Sequence, residues 1–171
     1  MSDWLDIFSY SDGRLLWKKR RCPRVAAGSV AGYKNRHGYI KVEVLGRVFP
    51  VQKIIWEIHF GRVPEGLIVD HIDGDRDNNR IENLRLADHS QNAWNRGISK
   101  ANTSGFKGVT LERVKLKRIG KTIERWVAQI RTNGKNRKIG RFSSKQEAAE
   151  AYRLADLAER GEFSAYACRR W

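Results

Sequence analysis

The chain has 171 residues, 34 Lys and Arg against 19 Asp and Glu, and a formal net charge of +15, the balance expected of a protein that binds a polyphosphate. Its 40% hydrophobic content, with six Trp, six Phe and five Tyr, can fill one core or two small ones. It has no apolar run near the ~20 residues of a bilayer span, no secretion-signal pattern in "MSDWLDIF", and no CxxC pair among its two Cys, so a membrane-spanning helix, a disulfide framework and a thiolate zinc site are excluded, and no membrane partner and a cytoplasmic location are expected.

From Asp12-Gly13 to Val51, short β-type runs alternate with glycine turns, and "RLLWKK", "AGSVAGY" and "GYIKVEVLGRVFP" predict hairpins. "VQKIIWEIHFG" places Val51, Ile54, Ile55 and Ile58 at helical spacing with Gly61 as a stop, which predicts an amphipathic helix buried against those hairpins. "LIV" then reads as a strand that ends in Asp70-His71. In "LADHSQNAWNRG", Asp88 and Gln91 form a capping-box pattern, so a short helix is expected with Asn92 and Asn95 on one face and Gly97 at its end. The small polar stretch "GISKANTSG" reads as a boundary. The expected division is a domain over residues 1–97, a linker over 98–104 and a second domain over 105–171.

Beyond the boundary, "RWVAQIR" alternates as a strand, with Trp126, Ala128 and Ile130 on one face and Arg125, Val127, Gln129 and Arg131 on the other. "FKGVTL" and "NRKIGRF" flank it, with Asn133-Gly134 as a hairpin turn signal. "SKQEAAEAYRLADLAERG" predicts a helix with Ser144 and Glu147 as a capping box, Ala148, Ala151, Tyr152, Ala155 and Ala158 along one side, and Gly161 as the stop. Residues 1–100 carry 17 basic and 12 acidic side chains, and residues 101–171 carry 17 and 7. The net charges of +5 and +10 make the C-terminal part a candidate binding module.

An acidic segment, "DHIDGDRDNNRIENLR", interrupts this basic chain at residues 70–85. A calcium loop fails on spacing, because Asn78 stands where the turn needs Gly and Leu84 stands where a bidentate Glu is needed. An Asx-rich turn without chemistry does not explain why a carboxylate and an imidazole directly follow a strand. Phosphodiester hydrolysis uses each polar type: His71 as general base, and Asp70 and Asn92 as hard oxygen ligands for a divalent cation. Asn83 is spaced to tie the loop together.

Residues 67–96, "LIVDHIDGDRDNNRIENLRLADHSQNAWNR", resemble the HNH endonuclease motif with its ββα-metal fold, in the subgroup found in phage and intron homing endonucleases. The resemblance implies His71 as the general base, Asn83 as the central Asn that braces the loop, Asp70 and Asn92 as metal ligands, and Asn95 as a neighbour. In that family a His often stands where this chain has Gln52, a departure expected to remove one auxiliary polar contact and leave the chemistry untouched. It also implies one divalent cation, Mg²⁺ with Mn²⁺ as a substitute, double-stranded DNA as substrate, no small-molecule substrate, and 5′-phosphate and 3′-hydroxyl products.

A second resemblance covers residues 105–167, where "SGFKGV", "RWVAQIR" and "KIGRFSSKQEAAEAYRLADLAERGEFSAY" are similar to the APETALA/ethylene-response-factor type of DNA-binding domain. That family lays three antiparallel strands on one helix and reads the major groove with the open sheet face. By position it implies DNA contacts from Lys107, Gly108, Thr110, Gln129, Arg131, Lys138 and Tyr152. The expected fold is therefore α+β: a ββα-metal nuclease core with N-terminal β-hairpins and a helix, followed by a three-stranded antiparallel sheet packed on one α-helix. The expected protein is a site-directed, metal-dependent DNA endonuclease of the phage homing type, a monomer acting inside an infected bacterial host. The alternatives are a DNA-binding regulator with a degenerate nuclease half and an RNA-binding phage protein.

Overall fold

Asp12 and Gly13 have φ angles of 46° and 80°, the left-handed pair that a two-residue hairpin turn requires, and they join Phe8–Ser11 (β1) to Arg14–Trp17 (β2). A short helix, Trp4–Ile7 (α1), precedes them. The structure, a computed structural model, describes residues 4–118, 120–132 and 134–167; Asn133 of the expected hairpin turn and Cys168 lie outside the described residues. The chain divides into two compact units, Met1–Ala93 and Trp94–Trp171.

In the first unit a second left-handed pair, Leu45 and Gly46, joins Ile40–Val44 (β4) to Arg47–Pro50 (β5), and Tyr33–Lys34 (β3) completes a sheet of order β3-β4-β5. The run "AGSVAGY" is mostly connection, with Val30 bridging to Leu16 of β2. Helix Val51–Phe60 (α2) leaves β5 without a connecting residue and stops at Gly61, as its spacing predicted. It buries Val51, Ile54 and Ile55 in a core with Phe8, Leu15, Trp17, Val42, Val44 and Leu84. Each such side chain contributes about 1.5–3 kcal/mol by leaving water, which holds the hairpins and α2 together as a platform.

On that platform Ile68–His71 (β6) pairs antiparallel with Leu84–Ala87 (β7), with Asp70 opposite Arg85 and His71 opposite Leu84. Residues 72–83 connect the strands, and helix His89–Trp94 (α3) follows β7, giving a strand–loop–strand–helix element. Asp88 caps α3: its Oδ1 accepts from Ser90 N at 2.7 Å and Gln91 N at 2.8 Å, while Gln91 Oε1 accepts from Asp88 N at 2.8 Å. The helix ends at Trp94, short of the Gly97 stop that was expected, so Asn95 leaves it.

In the second unit Val109–Leu116 (β8), Lys121–Thr132 (β9) and Lys135–Phe142 (β10) form an antiparallel sheet of order β10-β9-β8, with a bulge at Lys138–Gly140. Helix Lys145–Arg160 (α4) packs on one face, with Ala148 and Tyr152 against Val109, Ala128 and Ile130. Ser144 Oγ accepts from Glu147 N at 3.2 Å, and Gly161 follows the last turn, as expected. The alanine stripe departs from expectation at its end, because Ala158 is exposed whereas Asp156 and Arg160 are buried. Those two form an i,i+4 ion pair, and Arg160 also donates to the Arg131 carbonyl at 3.0 Å and Tyr152 Oη at 3.3 Å, so the buried charges are compensated in place.

Candidate functional site

The loop after β6 is fixed by its own polar side chains. Asp73 Oδ1 accepts from Asp75 N at 2.7 Å and from Asn83 Nδ2 at 2.9 Å, and Asp73 Oδ2 accepts from Asn78 Nδ2 at 2.8 Å. Asn83 closes the ring, accepting from Asp73 N at 3.1 Å and donating to the Asn78 carbonyl at 2.7 Å. Burial would raise the Asp73 carboxyl, but the donors from Asn78, Asn83 and the Asp75 N–H, with His71 nearby, hold it below the usual carboxylate range.

The platform braces this loop from outside. Tyr10 Oη accepts from Ile81 N at 3.1 Å, and Arg80 pairs with Asp12 at 2.9 Å. Gly13 lies so close that a Cβ there would meet Arg80 N at 2.9 Å, and its φ is positive as well, so only glycine fits between hairpin and loop. On the other side Lys34 pairs with Asp77, while Arg76 donates to the His37 carbonyl at 2.6 Å and stacks over Tyr39.

His71 is the product of this bracing. It is 3% exposed, and its Nε2 lies 2.9 Å from Oδ1 of Asn79, which is itself 2% exposed. Asn79 Nδ2 donates to the Asp77 carbonyl, which orients the amide with its oxygen toward the ring. An amide oxygen can only accept, so Nε2 carries the proton and the imidazole lone pair sits on Nδ1. Asn79 was not singled out in the sequence. The signal that could have found it is its position in "DNNR", eight residues after His71, where a buried amide can return to the strand end.

Asp70 is 8% exposed and faces Arg85 across the strand pair, with Nε at 3.3 Å and Nη2 at 3.2 Å from Oδ2. Arg85 is likewise buried and offsets the carboxylate. Asp70, His71 and Asn92 line one cavity of about 480 Å³, together with His37, Tyr39, Lys41, Gln52 and Lys53. Asn83 is not among its lining residues and acts from within the loop. Among the described residues no three His, Cys, Asp or Glu side chains cluster as a metal cage. The donor set still fits a hard divalent cation, since such ions keep several waters and take one carboxylate and neutral oxygens from the protein; Asp70 and Asn92 supply one of each to the same cavity.

Residues 49–94 match the sequence family described as HNH endonuclease. This segment is similar to HNH endonucleases, and its strand–loop–strand–helix element is an HNH-like ββα motif. Protein 3.8 of Escherichia phage T7 is 37% identical over 81 residues, covering 47% of this chain and 60% of the phage protein. A protein of Acanthamoeba polyphaga mimivirus described as an uncharacterized HNH endonuclease is 30% identical over 133 residues, covering 78% of this chain and 64% of its own length. The chain thus spans less than two thirds of each of these relatives. A solved structure, described as DNA binding and cleavage by the HNH homing endonuclease I-HmuI, aligns over 69% of this chain and 71% of its own at 24% identity and a TM-score of 0.41.

In the second unit, the candidate DNA contacts separate into two groups. Thr110, Gln129, Arg131 and Lys138 share the open face of the second unit's sheet, since Gln129 pairs with Lys138 and Thr110 with Val127 in register. Beside them Glu112 takes a two-point ion pair from Arg141, at 2.6 and 3.2 Å, and lies 3.6 Å from Lys138. Arg141 foremost, with Lys138, holds the Glu112 carboxyl below its usual range. Tyr152 and Gly108 pack in the core instead: Tyr152 is 3% exposed, and a Cβ on Gly108 would meet its ring at 2.0 Å. Burial, with the Asp156 charge second, pushes the Tyr152 phenol far above its usual range. Lys107 turns back to donate to the Trp94 and Arg96 carbonyls. Asn95 is buried.

Proposed function

We propose that the protein is a site-directed DNA endonuclease in which the HNH domain hydrolyses a phosphodiester bond and the second unit supplies most of the affinity and site preference. The observation that carries this reading is the presence of Asp70, His71 and Asn92 on one cavity, with Asn79 holding the imidazole in one tautomer.

In this mechanism a water molecule lies between His71 and the scissile phosphorus, and Nδ1 takes its proton as the oxygen attacks. The 3′-oxygen leaves and is protonated from solvent, which yields 5′-phosphate and 3′-hydroxyl ends. Asp70 and Asn92 would hold a divalent cation, Mg²⁺ or in its place Mn²⁺, which would supply positive charge to the phosphate and the leaving oxygen. Arg85 keeps the Asp70 carboxylate oriented, and Asn83 keeps the loop closed so that Asn79 stays on His71. A basic protein tolerates the acidic segment because the loop carboxylates are met by Asn amides, backbone N–H groups and Lys34.

The second unit is read as a DNA-binding domain of the APETALA/ethylene-response-factor type, supported by its three strands on one helix and the +10 excess of residues 101–171. Thr110, Gln129, Arg131 and Lys138 are its contact residues, with Lys107, Gly108 and Tyr152 building the surface beneath them. The phage and mimivirus relatives support a viral setting.

The test is cleavage of supercoiled plasmid and phage DNA with Mg²⁺ or Mn²⁺ by the wild type and by His71→Ala. The variant should cut ~10²- to 10⁴-fold more slowly while binding DNA as tightly in EDTA. Wild-type single-turnover rates in His71→Ala would remove the imidazole from the mechanism.

A further inference from the structure

Gln52 lines the same cavity as Asp70, His71 and Asn92, is 7% exposed, and has its Oε1 buried with no hydrogen-bond partner. A buried amide left unbonded costs stability, so its retention calls for a reason outside the fold's own packing. A carboxamide whose oxygen is unbonded can also turn either end toward a ligand.

Its surroundings specify the ligand's charge. Gln52 is in the first turn of α2, whose N-cap is Pro50, with no side-chain cap and no acidic residue in that turn. The first-turn N–H groups and the positive end of the helix dipole therefore have no side-chain anion to meet them. Lys41 and Lys53 line the same cavity, and Lys41 is the register partner of Pro50, which places it at the helix start. Lys53 has only a loose pair with Glu57 at 3.9 Å, and Lys41 has no ion pair among the described residues. Asp70, the acidic residue on the cavity wall, is already compensated by Arg85. A volume of about 480 Å³ is in the range that holds a drug-sized ligand, larger than one phosphate group.

We propose that Gln52, Lys41 and Lys53, at the uncapped start of α2, form a second phosphate subsite that grips the DNA backbone next to the scissile phosphate. The Gln52 amide N–H donates to a non-bridging oxygen, and the two lysines and the helix terminus neutralise it. The subsite rests on the nuclease reading for its neighbour, but its occupancy is a binding event that needs no cleavage.

The experiment uses the full chain in EDTA with a short DNA duplex, so that no cutting occurs. Gln52→Leu should bind roughly tenfold more weakly, Gln52→Glu more weakly still, and Gln52→Leu should melt at or above the wild-type temperature because the unbonded amide is gone. Replacing single phosphates by neutral methylphosphonates should reveal one position whose replacement weakens the wild type but not Gln52→Leu. Equal binding by wild type and folded Gln52→Leu overturns the subsite. If Gln52→Leu does not fold, the side-chain amide NMR signal of Gln52 in the wild type decides: a shift on adding duplex supports the subsite, and an unmoved signal at saturation overturns it. Loss of the nuclease reading would appear separately, as absence of cleavage by the wild type with Mg²⁺ or Mn²⁺.

Discussion

Asn79→Ala removes the acceptor on His71 Nε2, together with the Asn79 Nδ2 bond to the Asp77 carbonyl, and leaves the residues that face the cavity in place. In the folded chain the amide oxygen meets His71 Nε2 at 2.9 Å, and both side chains are almost wholly buried. Truncation leaves a buried imidazole N–H without this acceptor, which costs about 1–3 kcal/mol of stability and should lower the urea midpoint without changing the m-value. The same energy holds the ring in its Nε2–H tautomer and orientation. At ~1.4 kcal/mol per factor of ten, its loss reduces the competent population by roughly five- to 150-fold. Single-turnover cleavage in Mg²⁺ should fall by that factor while duplex affinity in EDTA stays unchanged. Asn79→Asp keeps an acceptor toward Nε2 and should retain more of the rate than Asn79→Ala. A merely structural role would move both variants with stability alone. The ¹⁵N shifts of His71 report the tautomer directly, so an Asn79→Ala protein that cuts at the wild-type rate, or keeps the wild-type ring signature, refutes the assignment.

Chelation should silence the wild type, and Asp70→Ala should raise the cation concentration needed for cleavage more than Asn92→Ala does, as read by Mg²⁺ titration of the rate, because Asp70 brings charge as well as an oxygen. Asp156→Ala strands the buried Arg160 guanidinium and should destabilise the second unit by about 3–5 kcal/mol, visible as a lowered melting transition; an unchanged transition would remove the pair from the core. The Asp73 carboxyl is held below its ordinary value, so its contribution is present above the unfolded pKa and is lost as pH falls through the lower folded value; Asp73→Asn should remove that acid-range part of the loss, followed by near-ultraviolet circular dichroism at stepwise lower pH. Arg131→Ala should weaken a preferred duplex by ~1–3 kcal/mol more than random DNA if it reaches a base edge, and should weaken both equally if it contacts only phosphate, which competition binding at one salt concentration separates.

What the sequence determined by itself is the local order of the chain. Periodicity and caps located α2 and α4 with their stops at Gly61 and Gly161, and the Asp88–Gln91 box located the start of α3, because these are decided by neighbours a few residues apart. Asp70, His71 and Asn92 were legible as candidates for the same reason, since their types and spacing carry the HNH pattern. Only the tertiary structure decided what surrounds them. Asn79 beneath His71, Arg85 opposite Asp70 and the unbonded Gln52 are consequences of strand register and of which helix face closes the cavity, neither of which leaves a periodic trace. The buried Asp156–Arg160 pair sits on a helix whose alanine pattern favoured Ala158 instead, and Tyr152 was withdrawn into the core by the space that Gly108 leaves. Apart from the i,i+4 pair itself, whose Arg160 is anchored on the Arg131 carbonyl of β9, the compensating partner or the vacant volume comes from another segment of the chain, so the energy that fixes the side chain exists only once those segments have packed.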